Sequence, residues 1–101
     1  MSPEVKEKID SLVSSNKIVE FMKGTKLMPQ CGFSNNVAQI LNSLGATYEA
    51  IDVLADYDVR QGIKEYSNWP TIPQVYIDGE FIGGSDIMIE LYQNGKLQEM
   101  V

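Results

Sequence analysis

The sequence contains no histidine and a single cysteine, Cys31, in 101 residues. One thiol cannot close an internal disulfide, and a zinc or iron-sulfur site made only of thiolate and imidazole ligands from one chain is excluded too. Basic residues are also scarce, with eight Lys and Arg against 14 Asp and Glu and a formal net charge of -6. That balance disfavours nucleic acid and other polyanions as partners. No apolar run approaches the roughly 20 residues of a membrane span, and there are no repeats, linkers or low-complexity stretches. Met1-Ser2-Pro3-Glu4 shows neither the basic and apolar regions of a secretory signal nor an Arg-rich import leader. A reducing cytoplasm is the expected setting.

What is present is ordinary globular material, 44% hydrophobic and 22% charged. At this length one core is expected, hence one domain over residues 1–101. Ser2 is a good N-cap with Pro3 at the first helical position, and Val5, Ile9, Leu12 and Val13 share a face, so a helix is predicted over roughly residues 3 to 15. Ile18 to Met22 is short, apolar and partly β-branched, which reads as a buried strand. From Ser34, the stripe Val37, Ile40, Leu41 and Leu44 predicts a helix ended by Gly45.

Thr47 to Val53 is the next predicted strand, and the short helical crossover makes it parallel to the first. A helix follows over Asp56 to Tyr66, broken by Asn68-Trp69-Pro70. Gln74 to Ile77 and Glu80 to Ile82, joined by Asp78-Gly79, predict an antiparallel hairpin. Ser85-Asp86 can cap a last helix carrying Ile87, Met88, Leu91 and Tyr92. The order gives an α/β domain with a four-stranded mixed sheet and helices on both faces, the layout of a thioredoxin-like fold.

Cys31 lies in Pro29-Gln30-Cys31-Gly32-Phe33-Ser34, where a polar loop hands over to a helix. An isolated cysteine is commonly a small buried hydrophobe, but these neighbours are poor core companions. A helix N-terminus favours thiolate, so Cys31 is read as reactive. Gly32 either clears space for a ligand or merely loosens the start of the helix. Lys23, at the end of the first strand, is either a solvated charge or a group that stabilises thiolate or grips a carboxylate. Arg60 and Lys64 share a helical face that is either plain surface or a carboxylate contact.

An Ile72-Pro73 bond before a strand is a candidate cis peptide, which would turn backbone groups outward toward an extended ligand; the alternative is an ordinary start to the strand. Gly84-Ser85-Asp86 offers free N–H donors and an acidic acceptor suited to an α-amino acid group, or else a simple capping turn. A 2Fe-2S cluster asks for four thiolates. Two copies of this chain would bring two, leaving two for a small cellular thiol.

Taken together, Lys23-Gly24-Thr25, Cys31-Gly32-Phe33-Ser34, Asn68 to Gln74 and Gly83-Gly84-Ser85-Asp86 resemble, in order and spacing, the single-domain monothiol glutaredoxins with a Cys-Gly-Phe-Ser active site. The resemblance covers nearly the whole chain. It implies a glutaredoxin fold, with Cys31 as the thiol that ligates a cluster or forms a mixed disulfide. It also implies that Lys23, Arg60, Ile72, Ser85 and Asp86 hold glutathione: basic groups at a carboxylate, Ile72 through its backbone before the cis-proline, and Ser85-Asp86 at the γ-glutamyl end.

The implied cofactors are glutathione and a 2Fe-2S cluster shared by two subunits. The chain would be a monomer without the cluster and a homodimer with it, and its partners would be BolA-like proteins and apo iron-sulfur proteins. Many relatives carry cysteine at the position of Ser85 and an aromatic residue at that of Ile72; the first difference removes any second thiol, while the second leaves a backbone contact intact. The function implied first is an iron-sulfur carrier. The alternatives are a glutathione-dependent oxidoreductase acting on protein-glutathione mixed disulfides and a binding module with an inert cysteine.

Overall fold

The computed structural model describes all 101 residues. Ser2 caps the first helix, α1 (Pro3–Ser15), by accepting a hydrogen bond from the Val5 N–H at 3.2 Å. Strand β1 (Ile18–Met22) follows and is buried at every position, which explains why its sequence, Glu20 apart, is apolar on both faces rather than alternating. Helix α2 (Gly32–Ser43) leads to β2 (Glu49–Asp52), and α3 (Tyr57–Ser67) leads to β3 (Gln74–Ile77). Strand β4 (Glu80–Gly83) and helices α4 (Ser85–Gln93) and α5 (Leu97–Met100) complete the chain.

The four strands are ordered β2-β1-β3-β4, with β1 parallel to β2 and antiparallel to β3, and β3 antiparallel to β4. This is the mixed sheet expected of a thioredoxin-like fold. Asp78 and Gly79 both take positive φ, 53° and 80°, in the tight turn between β3 and β4. Alternation along β1 sends Val19 and Phe21 into one cluster with Ile9, Val13 and Ile63, beneath α1 and α3. Ile18 enters the second cluster with Val37, Leu41, Val75 and Met88, beneath α2 and α4. Each such side chain contributes roughly 1.5–3 kcal/mol on burial.

The differences from expectation have local causes. Helix α2 starts at Gly32, two residues before the expected start at Ser34, with Cys31 itself in the N-cap position. The β2 ladder is shorter than Thr47–Val53 because pairing with β1 begins only at Val19↔Glu49; Tyr48 and Val53 lie outside it yet are buried. Ser85 does not cap α4. Gly84 is the N-cap, no side chain caps the helix, and Ser85 is its first residue. The short α5, which the sequence pattern did not announce, buries Leu97 against the second cluster.

Glu20 is the anomaly of the core. It has no exposed surface, it shares its row with Ala50 and Val75, and neither carboxyl oxygen has a partner. Burial pushes its pKa up to about 8, with the Lys26 ammonium pulling the other way, and its own charge would bear on Tyr48. A raised carboxyl pKa stabilises the fold fully below the ordinary value and progressively less until the buried group titrates. Urea unfolding should therefore show a loss of roughly 3 kcal/mol between pH 5 and pH 8. Glu20→Val should flatten that slope and gain most at pH 8; an unchanged slope would mean that Glu20 is solvated.

Candidate functional site

Cys31 stands at the head of α2 with extended backbone, φ -147° and ψ 134°, and is partly exposed. Its carbonyl accepts the Asn35 N–H at 2.9 Å, which starts the helix and leaves the earlier N–H groups near the sulfur. The Ser34 N–H is the strongest influence drawing the thiol pKa below its ordinary value, and burial opposes it. The Phe33 N–H, the Lys23 charge and the Ser34 hydroxyl add to the lowering. The helix terminus thus makes Cys31 a readier thiolate than an ordinary cysteine.

Ser34 links this turn to the sheet. Its buried hydroxyl accepts the Lys23 N–H at 3.0 Å, so the residue after β1 is fixed to the first turn of α2. The other side of the Lys23 peptide unit is fixed as well, since the Lys23 carbonyl accepts the Gln30 N–H at 2.9 Å. Next along, the Gly24 N–H donates to Asp52 Oδ1 at 2.9 Å, and the same oxygen accepts the Leu54 N–H. Gly24 has φ 96°, and a Cβ there would lie 2.5 Å from the Met28 carbonyl oxygen, so only glycine fits.

A cavity of about 530 Å³ opens beside the sulfur, within the range of small-molecule sites. Lys23, Cys31 and Phe33 line one side, Lys64 and the segment Trp69 to Pro73 another, and Gly84 to Ile87 a third. The buried Gln74 side chain holds the Trp69–Thr71 wall by donating to the Trp69 and Thr71 carbonyls at 3.1 and 3.2 Å. The Ile72-Pro73 bond is cis. Gly84 backs onto it so closely that a Cβ would come within 3.0 Å of the Pro73 carbonyl oxygen. The Ser85 hydroxyl oxygen is buried without a partner.

Five of the six residues singled out by sequence, Cys31, Lys23, Ile72, Ser85 and Asp86, meet in this one cavity. Arg60 does not line it; Lys64, one turn further along α3, takes that wall, and Arg60 is partly buried with its Nε unpaired. Trp69, Thr71, Gln74 and Asp52 were not singled out as individual site residues. The Trp-Pro-Thr motif marked the first two, whereas nothing local marks the other two as braces. A second depression of about 650 Å³, bounded by Lys17, Thr47, Glu49 and Gln98, holds no cysteine.

The fold and this site define a class: a thioredoxin-like domain with one activated thiol beside a cleft lined by two lysines and an aspartate. The glutaredoxin family profile matches residues 18–82. The chain belongs to the glutaredoxin family. It is 75% identical over 101 residues, all of this chain and 94% of the relative, to an uncharacterised monothiol glutaredoxin, ycf64-like, of Synechocystis. It is 58% identical over 99 residues to the chloroplastic monothiol glutaredoxin-S7 of rice, covering 98% of this chain and 59% of that one. A probable monothiol glutaredoxin 2 of Rickettsia typhi is 54% identical, over 92% of this chain and 84% of that protein.

Among solved structures, reduced apo GrxS14 of poplar superposes with a TM-score of 0.85 at 57% identity, over 97% of this chain and 90% of that one. A buckwheat glutaredoxin in complex with glutathione gives 0.85 at 31% identity, over 99% and 93%. No helix is long and apolar enough to cross a membrane.

Ser34→Ala should move the pH profile of Cys31 alkylation by iodoacetamide to higher pH. It should also cost about 1–2 kcal/mol in urea, because the Lys23 N–H is left without its acceptor. An unmoved alkylation profile would remove Ser34 from the activation of the thiol.

Proposed function

We propose that this chain, as one glutaredoxin domain over residues 1–101, binds glutathione beside Cys31 and carries a 2Fe-2S cluster between two copies of itself. The observation that carries this reading is a lone activated thiol sharing a cavity with an orphaned buried hydroxyl, that of Ser85. A buried polar atom without a partner costs free energy unless a ligand supplies one. No group of three or more His, Cys, Asp or Glu residues converges anywhere to hold a metal, so Cys31 cannot complete a metal site within one chain.

The donor set fits glutathione. Lys23 and Lys64 present ammonium groups for a carboxylate, and Arg60 stands one turn from Lys64 as a further cation. The Ile72 backbone would pair with the peptide unit of the ligand, and Ser85 and Asp86 would receive its γ-glutamyl end. Bound glutathione would supply the second thiolate that each subunit lacks. The cargo cluster then has four thiolates, two from Cys31 residues and two from glutathione. The chain is a monomer until the cluster joins two copies, and its partners are BolA-like proteins and apo iron-sulfur proteins. Cys31 must remain a free thiol for this work, which suits a reducing cytoplasm.

The lowered pKa of Cys31 favours a second reading in the same cavity, a glutathione-dependent oxidoreductase. There the Cys31 thiolate attacks the glutathione sulfur of a protein-glutathione disulfide and expels the protein thiolate. A second glutathione then reduces the Cys31-glutathione disulfide, leaving oxidised glutathione.

Anaerobic reconstitution with iron, sulfide and glutathione should give a coloured dimer, and Cys31→Ser should abolish the colour. A colourless wild type would end the carrier reading, and turnover on a glutathionylated substrate at the level of a dithiol glutaredoxin would promote the second. Trp69 is the only tryptophan and lines the cavity, so its fluorescence should report glutathione binding directly. Asp86→Ala should weaken that binding by roughly tenfold, about 1.4 kcal/mol; unchanged affinity would remove Asp86 from the ligand's amino end.

A further inference from the structure

The loop between β1 and α2 displays apolar side chains in a way that ordinary folding does not explain. Leu27 is 93% exposed and Met28 is 66% exposed, although both would gain by lying against the sheet. They are held out. The Met28 N–H donates to Thr25 Oγ1 at 3.0 Å, and its carbonyl accepts the Thr25 N–H at 3.2 Å. Gly24 and Pro29 form an antiparallel bridge across the base of the turn. The Lys26 ammonium donates to the Tyr48 carbonyl and lies 4.0 Å over the Tyr48 ring, which fixes the flank of the loop.

Charge distribution indicates what this tip meets. From Leu27 to Tyr48 the chain has no charged residue. A stretch of that length would ordinarily carry about five. The charge-free stretch contains the tip, Cys31, the 62% exposed Phe33 and all of α2. Two copies with a net charge of -6 each repel one another in general, and a stretch without acidic side chains is where that repulsion is least. Interface centres are depleted of charge and enriched in methionine and aromatic residues.

We propose that the Leu27–Met28 tip, with Phe33 beside Cys31, is the protein contact between two copies of this chain when they face each other across the shared cluster. The inference rests on the bridged-pair reading above and deepens it by assigning the surface that holds the pair together. A twofold axis between the two Cys31 residues requires each copy to present the same surroundings to the other. Leu27 is four residues from Cys31, hence within about 14 Å along the chain. An apolar tip is self-complementary in such an arrangement, because it needs no opposite charge on its mate.

Wild type, the Leu27→Ser/Met28→Ser double variant and the conservative Leu27→Met/Met28→Leu variant are to be reconstituted with iron, sulfide and glutathione. Each is then followed by visible absorption and sedimentation over about two decades of protein concentration. Both tip residues are exposed, so the serine variant should keep its circular dichroism and its rate of Cys31 alkylation. It should load cluster at high concentration and dissociate at a protein concentration at least roughly tenfold above wild type, with the conservative variant close to wild type.

A serine pair as tight as the wild-type pair overturns the contact while leaving the carrier reading intact. Loss of cluster uptake by the serine variant at every concentration also overturns it, because the tip would then act on cluster retention. A wild type that stays colourless and monomeric overturns both readings together.

Discussion

The hydrogen bond from the Lys23 N–H to the Ser34 hydroxyl is the joint on which the site is built. It connects the end of β1 to the first turn of α2 and so sets where the helix starts relative to the sheet. The position of Cys31 follows, because the cysteine is the N-cap residue between them. The same joint keeps Lys23 and the helix N–H groups on the sulfur, and both lower its pKa. Asp52 secures the next peptide from the neighbouring strand. A thiol on a free loop would have neither the directed N–H groups nor the cation.

Ser34 occupies the position that a second cysteine holds in a C-x-x-C motif, and its hydroxyl has a different task there. It accepts one backbone N–H and still has a proton to direct at the thiol. This makes it a structural tie and an electrostatic aid at once. It also means that Cys31 has no resolving partner in the chain. The chemistry available to this sulfur depends on what the adjacent cavity binds.

Much of this was readable from the sequence wherever the cause is local. Ser2-Pro3 start α1, the largely apolar Ile18–Met22 is a strand buried on both faces, and Asp78-Gly79 turn the hairpin, each through the chemistry of a few adjacent residues. The convergence of Lys23, Cys31, Ile72, Ser85 and Asp86 was legible through the family resemblance that their motifs carry, whereas each residue taken alone left a plainer reading open. Other features depend on distant partners and leave little trace. Asp52 reaches Gly24 across 28 positions, and Gln74 props a wall formed by residues that precede its own strand. Lys64 rather than Arg60 reaches the cavity wall, and the sequence, with both on one helical face, did not separate them. Ser85 looked like a cap because serine favours that role, but Gly84 takes the N-cap beside the Pro73 carbonyl and shifts Ser85 into the helix.

Buried polar atoms without partners occur on five residues, Glu20, Arg60, Gln74, Tyr76 and Ser85, and two of them show how function differs from mere cost. The Ser85 hydroxyl and the Glu20 carboxyl are both removed from water and both unsatisfied. They differ in what can reach them. Ser85 belongs to the wall of the cavity beside Cys31, open to whatever enters it, so a bound ligand would have a hydrogen bond to offer there. Glu20 lines neither that cavity nor the depression at Lys17, has no exposed surface and shares its row with Ala50 and Val75, so it is shut away from the site at Cys31. Its answer is to keep its proton, which removes the charge and leaves only the smaller penalty of a neutral carboxyl. An unsatisfied group marks a binding site only when a ligand can arrive at it, and in this chain that condition selects the cavity at Cys31.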